Sequence, residues 1–143
     1  MNIIEKINTR RSARSFTDKE VDSNTIHELI TLGTKAATGS YGQPWGFVII
    51  RNKSEIKSLS DEIKKYLLEN ITDYPYFKQY ESWLKDENFS VFYGAPCVIV
   101  IYGNTLSHWY IYDCSLAAGN IMLAASEFGL GTCWIGFAEH ICN

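Results

Sequence analysis

The sequence has no surplus of positive charge. Sixteen acidic residues against thirteen Lys and Arg give a net charge of −3, which disfavours general nucleic-acid binding, because neutralising a phosphate backbone needs an excess of cations. Long apolar runs are also missing. The longest, Pro96 to Tyr102, is far too short to cross a bilayer, and Met1-Asn2-Ile3-Ile4-Glu5-Lys6 places charges where a signal peptide needs an apolar core. A cytoplasmic protein with no membrane partner is therefore expected. The four cysteines, Cys97, Cys114, Cys133 and Cys142, form no Cys-x-x-Cys pair and have no close His partner, so no metal site or redox motif is expected and free, mostly buried thiols are. No Gly-x-Ser-x-Gly elbow is present, and His27, His108 and His140 lack recognisable partners, which argues against hydrolysis by Ser or Cys. An enzyme built on this chain would take its chemistry from a cofactor. There are no internal repeats, and 143 residues make one domain, 1–143.

What is present reads as alternating helices and strands. Residues 3–7 predict a short helix, and residues 9–17 a polar loop. Ser23 or Asn24 can cap a helix carrying Ile26, Leu29, Ile30 and Gly33 on one face and ending near Ala37. A glycine-rich turn, Thr38 to Pro44, leads into a strand at 47–50. Ser54 can cap a third helix with Ile56, Leu59, Ile63 and Leu67 on its stripe and Lys57, Lys64 and Lys65 left for solvent. Residues 71–93 crowd Tyr74, Tyr76, Phe77, Tyr80, Trp83 and Phe92 into an insert that fits either a lid over a pocket or a partly helical wrap over the core. The run from Ala95 to Tyr102 predicts a strand buried on both faces. A helix over about 109–128 is apolar almost all the way round, which favours a second subunit against one side; Gly129 closes it, and 132–137 predicts a last strand.

Three segments carry candidate chemistry. Arg10, Arg11 and Arg14 are three of the chain's four arginines and surround Ser12; guanidinium forks and a hydroxyl suit one small phosphate group, while a solvated basic loop is the alternative. In Gly39-Ser40-Tyr41-Gly42-Gln43-Pro44-Trp45 the glycines let backbone approach a flat ligand, and Gln43 offers donors and an acceptor to a heterocycle edge. The third segment, Gly129-Leu130-Gly131-Thr132-Cys133-Trp134-Ile135-Gly136, follows a helix and precedes a strand. That order is the reverse of what a dinucleotide fingerprint requires, which excludes a Rossmann dehydrogenase.

Taken together, Arg10-Arg11-Ser12-x-Arg14-x-Phe16, Gln43-Pro44-Trp45-x-Phe47, Ala95-Pro96, Asp113 at the head of the apolar helix and the 129–136 segment resemble the FMN-dependent nitroreductase family, collinearly over residues 3–137. The resemblance implies an α+β fold, an α/β/α sandwich whose central, mostly antiparallel sheet is flanked by helices, built as an intertwined homodimer. It implies a flavoprotein oxidoreductase in which NADH or NADPH gives a hydride to FMN and an electron-poor acceptor, a nitroaromatic or quinone, takes the electrons in a ping-pong cycle. Arg10, Arg11, Ser12 and Arg14 would hold the FMN phosphate and ribityl region. Thr38, Tyr41 and Gln43 would meet the flavin ring from the other subunit, and backbone at Trp134, Ile135 and Gly136 would lie against it. Two departures stand out. Tyr41 occupies the place where the family often has an Asn, and relatives continue beyond this chain's last residue with another strand and a basic tail, so the chain is read as shortened at its C-terminus. A flavin-binding, flavin-storing or dimerisation module with little turnover is the alternative.

Overall fold

The structure, a computed structural model, describes residues 2–139. His140 and Cys142 lie outside the described residues. In chain order the elements are α1 (Ile3–Thr9), α2 (Ser23–Gly33), β1 (Trp45–Ile50), α3 (Lys53–Glu69), α4 (Glu81–Lys85), β2 (Val98–Gly103) and α5 (Tyr110–Ala125), with short 3₁₀ turns at Gly39–Tyr41, Pro75–Tyr80, Ser126–Phe128 and Gly136–Ala138.

β1 and β2 pair antiparallel, from Trp45 opposite Gly103 to Ile50 opposite Val98. Side chains alternate across a strand, so Phe47, Ile99 and Ile101 share one face, where they meet Leu29 of α2 and Ile121 and Ala125 of α5. The paired Ile50 and Val98 point the other way, into a second core of Ile56, Ile63 and Leu67 from α3 with Phe77, Leu84, Val91, Phe92 and Phe137. The expected α+β arrangement, antiparallel strands with helices on both sides, is present. Ile63, Leu67 and Leu84 are each 1% exposed and Val91 is fully buried; each such side chain contributes about 1.5–3 kcal/mol relative to leaving it in water.

The aromatic insert wraps the core through Phe77, Leu84, Val91 and Phe92, which are core residues packed on α3. Lys64 corrects the expectation of a solvent-facing lysine. It is 7% exposed, and its ammonium donates to the carbonyls of Asp86 and Phe89, both at 2.8 Å, tying the insert to α3.

Four further expectations need correction. The cap of α2 is Asp22, whose carboxylate accepts from the Thr25 amide at 3.0 Å, and the helix ends at Gly33. The cap of α3 is Asn52, whose Oδ1 accepts from the Ser54 and Glu55 amides. β2 starts at Val98 and is not buried on both faces: it has one neighbour, β1, and no residue of it is fully buried. Residues 132–137 form no strand, because their ladder is a single parallel bridge from Thr132 to Ser12, after which the chain turns at Gly136–Ala138. Gly129 does end the helical stretch, at φ 66°. Among the described residues no helix is long and apolar enough to cross a membrane, and Cys97, Cys114 and Cys133 are free but only half-buried.

Candidate functional site

α1 brings the arginine loop into place. Asn2 and Glu5 form a reciprocal capping box at its start, and buried Lys6 pairs with Glu127 just beyond α5. Arg10 caps its C-terminus. Arg11 is spent on the same helix end, its Nη1 donating to the Asn8 and Arg10 carbonyls at 2.9 Å each. Arg10 and Arg14, by contrast, have guanidinium groups with no hydrogen bond or ion pair among the described residues.

The loop then runs beside the glycine-rich segment. Ser12 bridges Thr132, and the Ala13 amide donates to the Thr132 carbonyl at 2.9 Å. The approach is close enough that a Cβ at Gly131 would lie 2.9 Å from the Ala13 Cβ. Phe137 fixes the far end of the segment by inserting among Phe77, Tyr80 and Phe89, with ring centroids 5.4–6.0 Å apart. Between these anchors Trp134 is exposed, Ile135 half-buried against the core, and a Cβ at Gly136 would meet nothing within 4 Å. An open depression of about 480 Å³ begins at Gly136 and is walled by Asp73, Tyr74, Tyr76, Phe77 and Glu139. Arg14 acts on Tyr80 from a distance: the phenol is raised chiefly by its hydrogen bond with Tyr76, and the arginine charge opposes that. The structure thus sets Ser12 and Ala13 of the arginine loop beside Gly131 and Thr132, the stretch that leads to Trp134, Ile135 and Gly136.

Thr38, Tyr41 and Gln43 belong to a different neighbourhood. The Gly39 amide donates to Asp113 Oδ1 at 3.2 Å, a Cβ at Gly39 would collide with the Trp109 indole, and the Asn104 amide donates to the Pro44 carbonyl at 2.8 Å. This loop is held by the start of α5 and the turn before it, not by the arginine loop. Ser40, Tyr41 and Gln43 have φ of 51°, 57° and 43°, and Tyr41 is 85% exposed. The two groups of candidate residues therefore have separate anchors. Beside the second runs an uncovered apolar strip, Leu106, Trp109, Tyr112 and Leu116.

Among the described residues no His, Cys, Asp and Glu group could hold a metal. Burial pushes the Cys97 thiol up, with Arg51 opposing, and burial followed by the Asp113 charge does the same to Cys114, so neither is an activated nucleophile. His27 and His108 are exposed, the latter edge-on to Trp109. Phe137 and Trp109 escaped the sequence reading as anchors: one apolar residue among many carries no signal for packing across a distant segment.

The model of the nitroreductase family matches residues 7–140. The FMN reductase (NADPH) of Bacillus subtilis is 30% identical over 149 residues, an alignment taking in 94% of this chain and 54% of that protein. An FMN-dependent nitroreductase from Clostridium difficile R20291 superposes with a TM-score of 0.80 at 30% identity, covering 94% of this chain and 60% of that one. A nitroreductase with bound FMN from Bacteroides fragilis superposes at 0.87 over 100% of this chain and 74% of its own, at 24% identity, a likeness of fold. The chain spans between 54% and 66% of the length of three curated relatives it matches.

Proposed function

The chain belongs to the nitroreductase family, and from that premise we propose that it is an FMN-dependent oxidoreductase using NADH or NADPH to reduce an electron-poor acceptor such as a nitroaromatic or quinone. The observation that carries this reading is the Ser12–Thr132 bridge, which sets the loop of Arg10 and Arg14, whose guanidinium groups have no hydrogen-bond or ion-pair partner among the described residues, beside the segment leading to the open backbone at Gly136. The donor set fits FMN. Arginine forks and the Ser12 hydroxyl match a phosphate monoester, and a side-chain-free approach at Gly136 suits a flat ring. The bound flavin would supply the hydride chemistry, accepting from the nicotinamide and giving to the acceptor in alternate half-reactions.

The chain's own part is to bind, orient and exclude water. Arg10 and Arg14 would fix the phosphate, with Ser12 adding a donor; Arg11 contributes through α1, whose terminal carbonyls it holds. Thr38, Tyr41 and Gln43 face the ring from a second copy of the chain in this reading, since their own loop is tied to α5. The uncovered strip on α5 supports such a homodimer.

The test is FMN affinity in Arg10→Ala and Arg14→Ala. Each loses a charged phosphate contact, expected to cost at least about 1.5 kcal/mol, roughly a tenfold rise in Kd. Unchanged retention in both variants would remove this loop as the phosphate site.

A further inference from the structure

The loop from Thr38 to Pro44 holds three non-glycine residues, Ser40, Tyr41 and Gln43, in the left-handed region. Such backbone persists only where its surroundings over-determine it. Within the loop the Tyr41 amide donates to the Thr38 carbonyl at 3.3 Å, the Gly42 amide to the Gly39 carbonyl at 3.0 Å and the Gln43 amide to Thr38 Oγ1 at 3.4 Å; these close the turn, and its anchors to the rest of the chain hold it in place. Two of them, the Trp109 indole beneath Gly39 and the Asn104 amide on Pro44, are contacts any compact turn could make. The third is unusual. Asp113 is 3% exposed, gives Oδ1 to the Gly39 amide across 74 residues of sequence, and its Oδ2 has no hydrogen-bond partner.

A buried carboxyl group with one donor is a poor choice for packing, because desolvation is only partly offset. Its place in the first turn of α5 eases the charge. An apolar residue would nevertheless suit the interior better, were packing the only demand. We propose that Asp113 is a positioning residue: through the Gly39 amide it sets the strained conformation in which the loop presents Tyr41 and Gln43, and so governs flavin affinity without touching the ligand. This rests on the flavin reading above. Releasing the anchor lets the loop populate relaxed conformers, and apparent affinity falls by the fraction of competent loop that remains.

The experiment compares the wild-type chain with Asp113→Leu, Asp113→Asn and Gly39→Ala by two measurements. One is hydrogen exchange of the residue-39 amide in flavin-free protein; the other is the FMN dissociation constant from fluorescence titration. Asparagine keeps an acceptor for Gly39, so Asp113→Asn should protect that amide and bind FMN near the wild-type level. Asp113→Leu should lose the protection and raise Kd about tenfold. Gly39→Ala, which pushes the loop off Trp109 while leaving Asp113 in place, should raise Kd similarly. Asp113→Leu binding FMN as the wild type does, or Asp113→Asn failing as badly as the leucine variant, overturns the proposal. Should Asp113→Leu not fold, unchanged affinity in Gly39→Ala overturns it instead. A wild-type chain that protects Gly39 yet takes up no FMN sinks the flavin reading while upholding the grip of Asp113 on the loop.

Discussion

Lys64 ends on two carbonyls of the insert, that of Asp86, which also accepts from the Phe89 amide at 3.2 Å, and that of Phe89. Its stem packs beside the apolar stripe of α3 while the ammonium reaches past it. Lys64→Ala removes the ammonium donor from the Phe89 carbonyl and leaves Asp86 with the Phe89 amide alone, and destabilisation by about 1–3 kcal/mol is expected, read as a lower denaturant midpoint with an unchanged slope. A loss within about 0.5 kcal/mol would mean that water replaces the ammonium freely. At this scale the sequence is least legible. The helical pattern left Lys64 for solvent, and nothing local says that two carbonyls 22 and 25 residues later will come to meet it. The caps were ambiguous for a related reason. Asp22-Ser23-Asn24 and Asn52-Lys53-Ser54 each offer more than one competent side-chain oxygen, and the helix register set by tertiary packing decides which is used.

Elements with a strong apolar signal were legible: α2 and α3 lie where their stripes put them, α2 ending earlier than expected, and the all-round apolar α5 falls within the expected 109–128. Segments that depend on a distant partner were not. Residues 71–93 have no period of their own and acquire structure by laying Phe77, Leu84, Val91 and Phe92 on α3. The 132–137 segment has strand-like composition, yet one bridge to Ser12 is its whole ladder, and Phe137 turns it into the aromatic cluster. Its motif was nevertheless readable, since glycine at 131 is what lets the two segments of the proposed phosphate side approach. Gly131→Val should force Ala13 away and raise the FMN Kd about tenfold, with a smaller effect on the melting temperature. Flavin binding that survives this substitution unaltered would mean the contact does not shape the site.

For the whole molecule, the two proposed half-sites are each held by their own anchors, and the exposed strip at the start of α5 and the turn before it adjoins the loop at residues 38–43 through Trp109. The apolar character of α5 all the way round had already pointed to a second surface; the exposed apolar residues of its first turns are Ile111, Tyr112 and Leu116, with Leu106 and Trp109 just before it. If a second copy covers it, the Tyr112→Glu, Leu116→Glu double variant should sediment as a monomer and lose flavin in the same step, because charges inside an apolar interface cannot be paired. A wild-type chain that is a stable monomer with full flavin would remove the two-chain site. The central claim, that this chain holds FMN and passes electrons through it, is tested most directly by an absorption spectrum of the purified protein supplied with FMN, followed by NADH or NADPH in the absence of oxygen. The account expects a protein-bound flavin whose oxidised bands bleach on adding the nucleotide. A bound flavin that stays oxidised with either nucleotide, or a protein that takes up no FMN, would contradict it.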